Sequence, residues 1–307
     1  MNEVLTINEV GSRDGLQNQP VLVVSSDKLR LISALVDAGV RSIEATSFVS
    51  PNAVPQMADA DELFPLLPNT HQVAYSALVP NLRGLERARA AGVREIAVVL
   101  SATETMNQRN INMSLTQATA ACAETLQRAV AAGMRTKAYV AVAFECPFEG
   151  LVESPIVLAL VQKMAKAGAQ EVVIADTIGA ANPRAVTKLM ENCVRELGAD
   201  RLSAHFHDTR GFALANAWAA IEAGIRKFDS SLGGMGGCPF APGAAGNLAT
   251  EDLVLMATQC GFTTGIDLRL LREAIALAEN LTQRKLGGRS TAWLDRQMQL
   301  PCVVDPV

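Results

Sequence analysis

Apolar positions along the chain recur in one phrase, a helical pattern that ends on Ala-Gly or a close equivalent and is followed by a short aliphatic run. It is found at DAGVRSIEA (37–45), AAGVREIAV (90–98), AAGMRTKAY (131–139), KAGAQEVVI (166–174) and EAGIRKFDS (222–230). A glycine in the left-handed conformation closes a helix without the clash a Cβ would bring, and a buried strand then begins. Repeated helix-to-strand units imply parallel strands, because a crossover helix returns the chain to the same end of a sheet.

Strand candidates are LTINEV (5–10), SIEAT (42–46), QVAYSAL (72–78), EIAVVL (95–100), TKAYVAVA (136–143), EVVIAD (171–176), LSAHFH (202–207) and KFDSSL (226–231). Helical patterns lie between them near 27–38, 81–91, 114–132, 153–167, 183–197 and 212–223, with Ser26 and Asn182-Pro183 as candidate starts. Eight alternations favour an α/β fold of the closed (β/α)8 TIM-barrel type over an open doubly wound sheet. Residues beyond 250 read as additional C-terminal helices. No shift of composition marks a linker, so residues 1–307 are expected to form a single TIM-barrel catalytic domain.

Composition supports a large aliphatic core: of 307 residues 49% are hydrophobic and only 4% aromatic. The net charge of -4 and the absence of Lys/Arg runs interleaved with aromatics exclude a nucleic-acid footprint. The start, MNEVLTINEV, lacks a basic segment followed by an apolar one, and no stretch approaches a membrane span. The expected location is cytoplasmic, without membrane partners. Cys122, Cys146, Cys193, Cys238, Cys260 and Cys302 are scattered without a C-x-x-C pair, as in a reducing compartment.

Active sites of such barrels lie where strands end and the following loops begin. Polar residues gather at those points: Arg13 and Asp14 after the first strand, Glu44 at the end of the second, Asp176 at the end of the sixth, and His205 and His207 along the seventh. Two of the three histidines form His205-Phe206-His207, and residues two apart on a strand share a face. A hydrogen-bonded histidine pair is the plainer reading; Asp14 arriving from another strand favours a metal. A carboxylate, two imidazoles and an amide oxygen suit Mg2+ or Mn2+ with waters remaining. Asn247 offers that amide at the end of the Gly-rich loop LGGMGGCPFAPGAAGN (232–247), which is either a turn-rich surface loop or a functional one. Cys238 within it is either a packed thiol or an activated one. Arg13, a surface ion pair in the plainer reading, would stabilise an oxyanion at a strand end. Glu44 and Asp176 are expected to orient Arg13 or the ligands.

With these residues in place the sequence resembles the 3-hydroxy-3-methylglutaryl-CoA lyase family, metal-dependent barrel enzymes related to isopropylmalate and other Claisen synthases. The motifs are EVGSRDGLQN (9–18), IEATSFVSPNAVPQM (43–57), DTIG (176–179), HFHDT with the following ALAN (205–216) and GGCPFAPGAAGNLATEDLV (236–254), so the likeness runs over nearly the whole chain. The resemblance implies metal ligands Asp14, His205, His207 and Asn247, a catalytic Arg13, a loop thiol Cys238, and further active-site positions at Glu44, Asp176 and Tyr139. It also implies retro-Claisen cleavage of a small-molecule acyl-CoA. The metal holds the tertiary alkoxide and carboxylate, a base takes the hydroxyl proton, Arg13 stabilises the thioester enolate, and Cys238 with His205 takes part in proton transfer.

The chain departs from the family pattern at Thr209-Arg210-Gly211-Phe212, at AFECPFEG (143–150) and near Pro20, where a basic residue is expected. These departures leave the acyl group open: hydroxymethylglutaryl-CoA giving acetyl-CoA and acetoacetate, or citramalyl-CoA, or a longer-branched hydroxyglutaryl-CoA. A Claisen synthase is disfavoured because those relatives resemble longer chains with a regulatory domain. A barrel that only binds acyl-CoA would have lost a ligand or Arg13. Assembly as a homo-oligomer is left open by the sequence.

Overall fold

The computed structural model describes residues 3–68, 71–237 and 246–299. Eight parallel strands close into a barrel: β1 (Thr6–Glu9), β2 (Ser42–Ser47), β3 (Ala74–Leu78), β4 (Glu95–Ser101), β5 (Arg135–Ala141), β6 (Glu171–Asp176), β7 (Leu202–Phe206) and β8 (Lys227–Ser230). Each strand pairs with its sequence neighbours and β1 pairs with β8, Thr6 opposite Lys227 through Glu9 opposite Ser230, so no edge is left unpaired. This is the predicted TIM barrel.

The helices are α1 (Ser25–Asp37), α2 (Ala60–Leu63), α3 (Leu82–Ala90), α4 (Glu104–Ile111), α5 (Leu115–Ala131), α6 (Ser154–Lys166), α7 (Pro183–Leu197), α8 (Ala213–Glu222), α9 (Thr250–Gln259), α10 (Leu268–Thr282) and α11 (Thr291–Gln299). Glycines 39, 92, 133, 168 and 224, one in each recurring phrase, all have positive φ, as a glycine-closed helix requires. Asn182 caps α7 as expected, its Oδ1 accepting from the Ala185 N–H at 3.1 Å. At α1 the cap position falls to Val24 instead of Ser26, and the neighbouring Ser25 hydroxyl donates to Asp59. Among the described residues beyond 250, α9 to α11 are the expected C-terminal helices.

The aliphatic core lies between the strands' outer faces and the helices, with Leu31, Ile43, Val98, Val140, Ile174 and Phe228 fully or almost fully buried. Inside the barrel the apolar cluster is small, Leu78, Ala97, Tyr139 and Val173. The remaining inward positions are largely polar, because the period of two that sends Val140 and Phe228 outward sends Tyr139 and Asp229 inward. At the exit of β5 the strand stops at Ala141, two residues short of the expected end, since buried Val142 sits at φ 50° and turns the chain. A short hairpin, Glu145–Cys146 against Gly150–Leu151, follows.

Candidate active site

The mouth of the barrel is built first by the turn after β1. Three successive amides, those of Arg13, Asp14 and Gly15, all donate to the Val10 carbonyl at 2.7–3.2 Å, winding Gly11–Gly15 into a wide turn that aims Arg13 and Asp14 at the barrel axis. Ser12 Oγ ties this turn to the Glu44 carbonyl on β2 at 2.9 Å.

Arg13 Nε donates to Glu44 Oε2 at 2.6 Å, and its Nη1 donates to Asp14 Oδ1 at 2.7 Å. Burial alone would lower its pKa, but Glu44 and Asp14 raise it, so the guanidinium keeps its charge. For Asp14, burial is outweighed by Arg13 and the two imidazoles, and its carboxyl is held below the ordinary value.

His205 and His207 meet through their Nε2 atoms, 3.1 Å apart. Asp14, His205 and His207 each offer a ligand atom within 4.8 Å of the others. Asn247 joins them from the far end of the Gly-rich loop, its Nδ2 donating to Asp14 Oδ2 at 2.8 Å and to the Met235 carbonyl at 2.9 Å. That leaves Asn247 Oδ1 buried with no partner, as is His207 Nδ1. Buried polar atoms without partners are rare. The donor set fits a divalent ion: two imidazole nitrogens, a carboxylate and an orphaned amide oxygen, with the two Nε2 atoms near the roughly 3 Å that separates adjacent ligands around an octahedral ion held at about 2.1 Å. Burial, with the neighbouring His205, drives the His207 pKa down to about 3, so its imidazole is neutral, the form in which it ligates metal.

The cavity above these groups has a volume of about 170 Å³ and is lined by Arg13, Asp14, Tyr139, Thr177, His205 and His207 among others, with Gly237 from the Gly-rich loop at its rim. A larger groove, about 560 Å³, lies between α5 and α6 on the outside of the barrel, away from these converging side chains.

The HMGL-like family model matches residues 4–277. A hydroxymethylglutaryl-CoA lyase of Pseudomonas mevalonii is 42% identical over 95% of this chain and 96% of its own length. The chain belongs to the HMGL-like family. A 3-hydroxy-3-isohexenylglutaryl-CoA/hydroxy-methylglutaryl-CoA lyase of Pseudomonas aeruginosa is 41% identical over 87% of this chain and 89% of its own. The solved structure of an HMG-CoA lyase from Acinetobacter baumannii in complex with coenzyme A and 3-methylmalate superposes with a TM-score of 0.91 at 38% identity, covering 99% of this chain and 98% of that one.

Within this HMGL-like barrel the predicted residues do not all meet. Arg13, Asp14, Glu44 and Asn247 form one bonded group, His205 and His207 form a second within 4.8 Å of Asp14, and Tyr139 faces the same cavity. The Asp176 side chain reaches neither Arg13 nor a candidate ligand: its two carboxyl oxygens accept from the Ala180 and Ala181 amides at 2.9 and 3.0 Å and fix the turn after β6, while its backbone carbonyl accepts from the His207 N–H at 3.3 Å. Burial raises its pKa to about 6 against those two bonds. Cys238 lies outside the described residues. Asp229 on β8, which the sequence reading passed over, touches both His205 and Tyr139, with Nδ1 of His205 3.0 Å from its Oδ2. Its signal was the period of two in KFDSSL, which places it inside the barrel.

Proposed function

We propose that the chain catalyses cleavage of 3-hydroxy-3-methylglutaryl-CoA to acetyl-CoA and acetoacetate, with Asp14, His205, His207 and Asn247 as the ligands of one divalent ion, Mg2+ or Mn2+. The observation that carries this is the convergence of Asp14 and the two Nε2 atoms beside a buried, charge-paired Arg13 at the mouth of an HMGL-like barrel. When bound, the ion supplies Lewis acidity to the substrate's tertiary hydroxyl oxygen and carboxylate.

The substrate hydroxyl gives up its proton to a base, the bond between C2 and C3 breaks, and the electron pair passes to C2 as the thioester enolate while C3 becomes the ketone of acetoacetate. Arg13 stabilises the negative charge on the thioester oxygen, and Glu44 holds the guanidinium in register for that task. Protonation of C2 completes acetyl-CoA. His205 and Cys238 take part in proton transfer, Cys238 on the strength of its motif. Tyr139 and Asp176 act from the surroundings, the first in the cavity wall and the second through the turn that carries Thr177. The whole chain is taken as one catalytic unit. A cytoplasmic setting accords with Cys122, Cys146 and Cys193, which are buried free thiols.

The departures at Phe144, Arg210 and Phe212 give no reason to move the substrate away from hydroxymethylglutaryl-CoA. Phe144 is packed in the outer core, Arg210 pairs with Glu145 at 2.7 Å, and Phe212 is half-exposed; none lines the cavity among the described residues. The deciding assay is purified protein with Mg2+ or Mn2+ against a panel of 3-hydroxyacyl-CoA thioesters. Stoichiometric acetyl-CoA and acetoacetate from hydroxymethylglutaryl-CoA are expected, and failure to cleave any hydroxyglutaryl thioester would refute the reading. Preference for an isohexenyl-type thioester would move the assignment to the second substrate.

A further inference from the structure

Asp229 is 3% exposed inside the barrel and does not line the cavity. Its Oδ2 accepts from the Tyr139 hydroxyl at 2.7 Å and faces His205 Nδ1 at 3.0 Å, and its Oδ1 accepts from Asn8 Nδ2 at 2.8 Å. Asn8 is held in turn by Ser42, whose hydroxyl donates to Asn8 Oδ1 at 2.8 Å. Toward the opposite end of the barrel, Lys137 on β5 lies 3.0 Å from Glu95 and 3.8 Å from Glu171. Burial disfavours charge on Asp229, but His205, Asn8 and the Lys137 ammonium outweigh it and keep its carboxyl below the ordinary value.

A carboxylate only accepts hydrogen bonds, so the proton on His205 Nδ1 points at Asp229 whether the ring is neutral or charged. In the neutral ring the Nε2 lone pair then faces His207 and Asp14. His207 has no such lock: its Nδ1 is buried without a partner, and its Nε2 faces that of His205. With His205 Nε2 an acceptor, His207 Nε2 must carry the proton between them.

We propose that Asp229 is a positioning residue that fixes His205 in the Nδ1–H form and so prepares half of the metal-binding imidazole pair before any ion arrives; this rests on the metal-site reading above. Tyr139, which donates to the same oxygen, steadies Asp229 and is a second positioning group. Asymmetry of the two imidazoles follows: His205 is locked for ligation, whereas His207 gives up or relocates a proton.

The test uses 15N-histidine labelling of the metal-free full chain in alkaline solution, with the imidazoles neutral. The chain holds 3 histidines, so each ring is assignable. Long-range 1H–15N correlations are expected to show His205 as the Nδ1–H tautomer and His207 as Nε2–H. In Asp229→Asn the carboxylate charge is lost and an amide donor must face either Asn8 or the His205 and Tyr139 side, so the hold on the His205 Nδ1–H weakens and its signature should shift. Mn2+ affinity, read by electron paramagnetic resonance, should then fall by about 10- to 100-fold, the usual cost of losing a partner behind a ligating histidine. Tyr139→Phe should leave the His205 tautomer in place. A wild-type spectrum with His205 as Nε2–H overturns the proposal even if the Asn variant does not fold. Unchanged tautomer and Mn2+ affinity in a folded Asp229→Asn protein also overturns it. Absence of Mn2+ binding by the wild type would instead defeat the metal-site reading.

Discussion

Arg13 and Asp14 are adjacent in sequence and also paired in space, Nη1 to Oδ1 at 2.7 Å, because the wide turn after β1 brings both side chains to the same side. The pair joins the proposed oxyanion group directly to a proposed metal ligand. Glu44 completes it from β2, so the guanidinium plane is fixed by carboxylates on two of its edges.

That two-sided grip makes lysine a poor replacement. Arg13→Lys keeps the charge but loses the planar fork, and an ammonium cannot reach Glu44, Asp14 and a thioester oxygen together. Turnover is expected to fall by about 100-fold or more, the scale of losing an oxyanion donor, with a much smaller change in KM. Steady-state kinetics separate the two. Ordinary turnover with a raised KM would make Arg13 a binding residue only.

His207 lies just past the end of β7, outside the apolar core, and its backbone pairs with Asn247 across the mouth, a pairing that alanine keeps. His207→Ala should weaken Mn2+ binding by at least about 100-fold while leaving the circular dichroism spectrum and melting temperature near those of the wild type. Wild-type Mn2+ affinity in the variant would remove His207 from the ligand set.

Much of the fold was legible because most barrel strands carry short apolar runs and five helices are each followed by a glycine at positive φ, a conformation glycine adopts without strain. What escaped was structure without an apolar stripe. Helix α4, whose sequence is ETMNQRNI, buries little beyond Met106 and Asn107. The hairpin after β5 follows from Val142 in a conformation that β-branched residues rarely adopt, and sequence offers no signal for that. In the site, residue types and strand ends brought out Arg13, Asp14, His205, His207 and Asn247. Asp176 sat at an equally suggestive strand end, yet two backbone amides claim both its oxygens. Partner choice of a buried carboxylate is a tertiary fact. The reverse holds for Asp229, whose inward parity on β8 could be read but whose partners come from β1, β5 and β7.

Cys238 follows Gly237, which lines the cavity and whose carbonyl accepts from Asn18 Nδ2 at 3.0 Å. On the strength of its motif, Cys238 is expected to react first with alkylating agents, ahead of Cys122 and Cys193, whose pKa values burial pushes up to about 12. Cys238→Ser should lower turnover by orders of magnitude while Mn2+ binding persists, because a hydroxyl exchanges protons at a very different pKa. Mass-spectrometric mapping of the label, together with kinetics of the variant, checks both. Near-normal turnover in Cys238→Ser, or equal inactivation through another cysteine, would leave Cys238 without a chemical role.

Glu9 provides a pH test of the scaffold behind the site. Its Oε1 accepts from the Gly11 and Leu232 amides at 2.8 and 3.0 Å, and its Oε2 accepts from the Thr250 hydroxyl at 2.6 Å, so one carboxyl joins the turn bearing Asp14 to both ends of the Gly-rich loop. Burial outweighs these bonds and raises its pKa from 4.5 to about 7. The folded state therefore holds a proton that the unfolded chain has already lost between about pH 4.5 and 7. Stability from this group is fully present below the unfolded value and declines as pH rises through the folded one, a change of about 3 kcal/mol across the window. Asp176, raised to about 6, adds to the decline in the same direction. Glu9→Gln removes the titration and keeps the bonds: the amide oxygen accepts from Gly11 and Leu232, and its nitrogen donates to Thr250 Oγ1, whose own proton turns to Ser230 Oγ, 2.8 Å away. Urea unfolding at intervals from pH 5 to 8 should show the wild type losing stability more steeply than Glu9→Gln, with the two curves separating as pH rises. Parallel curves would mean that Glu9 stays ionised in the folded barrel and that its three donors, rather than its burial, set its charge.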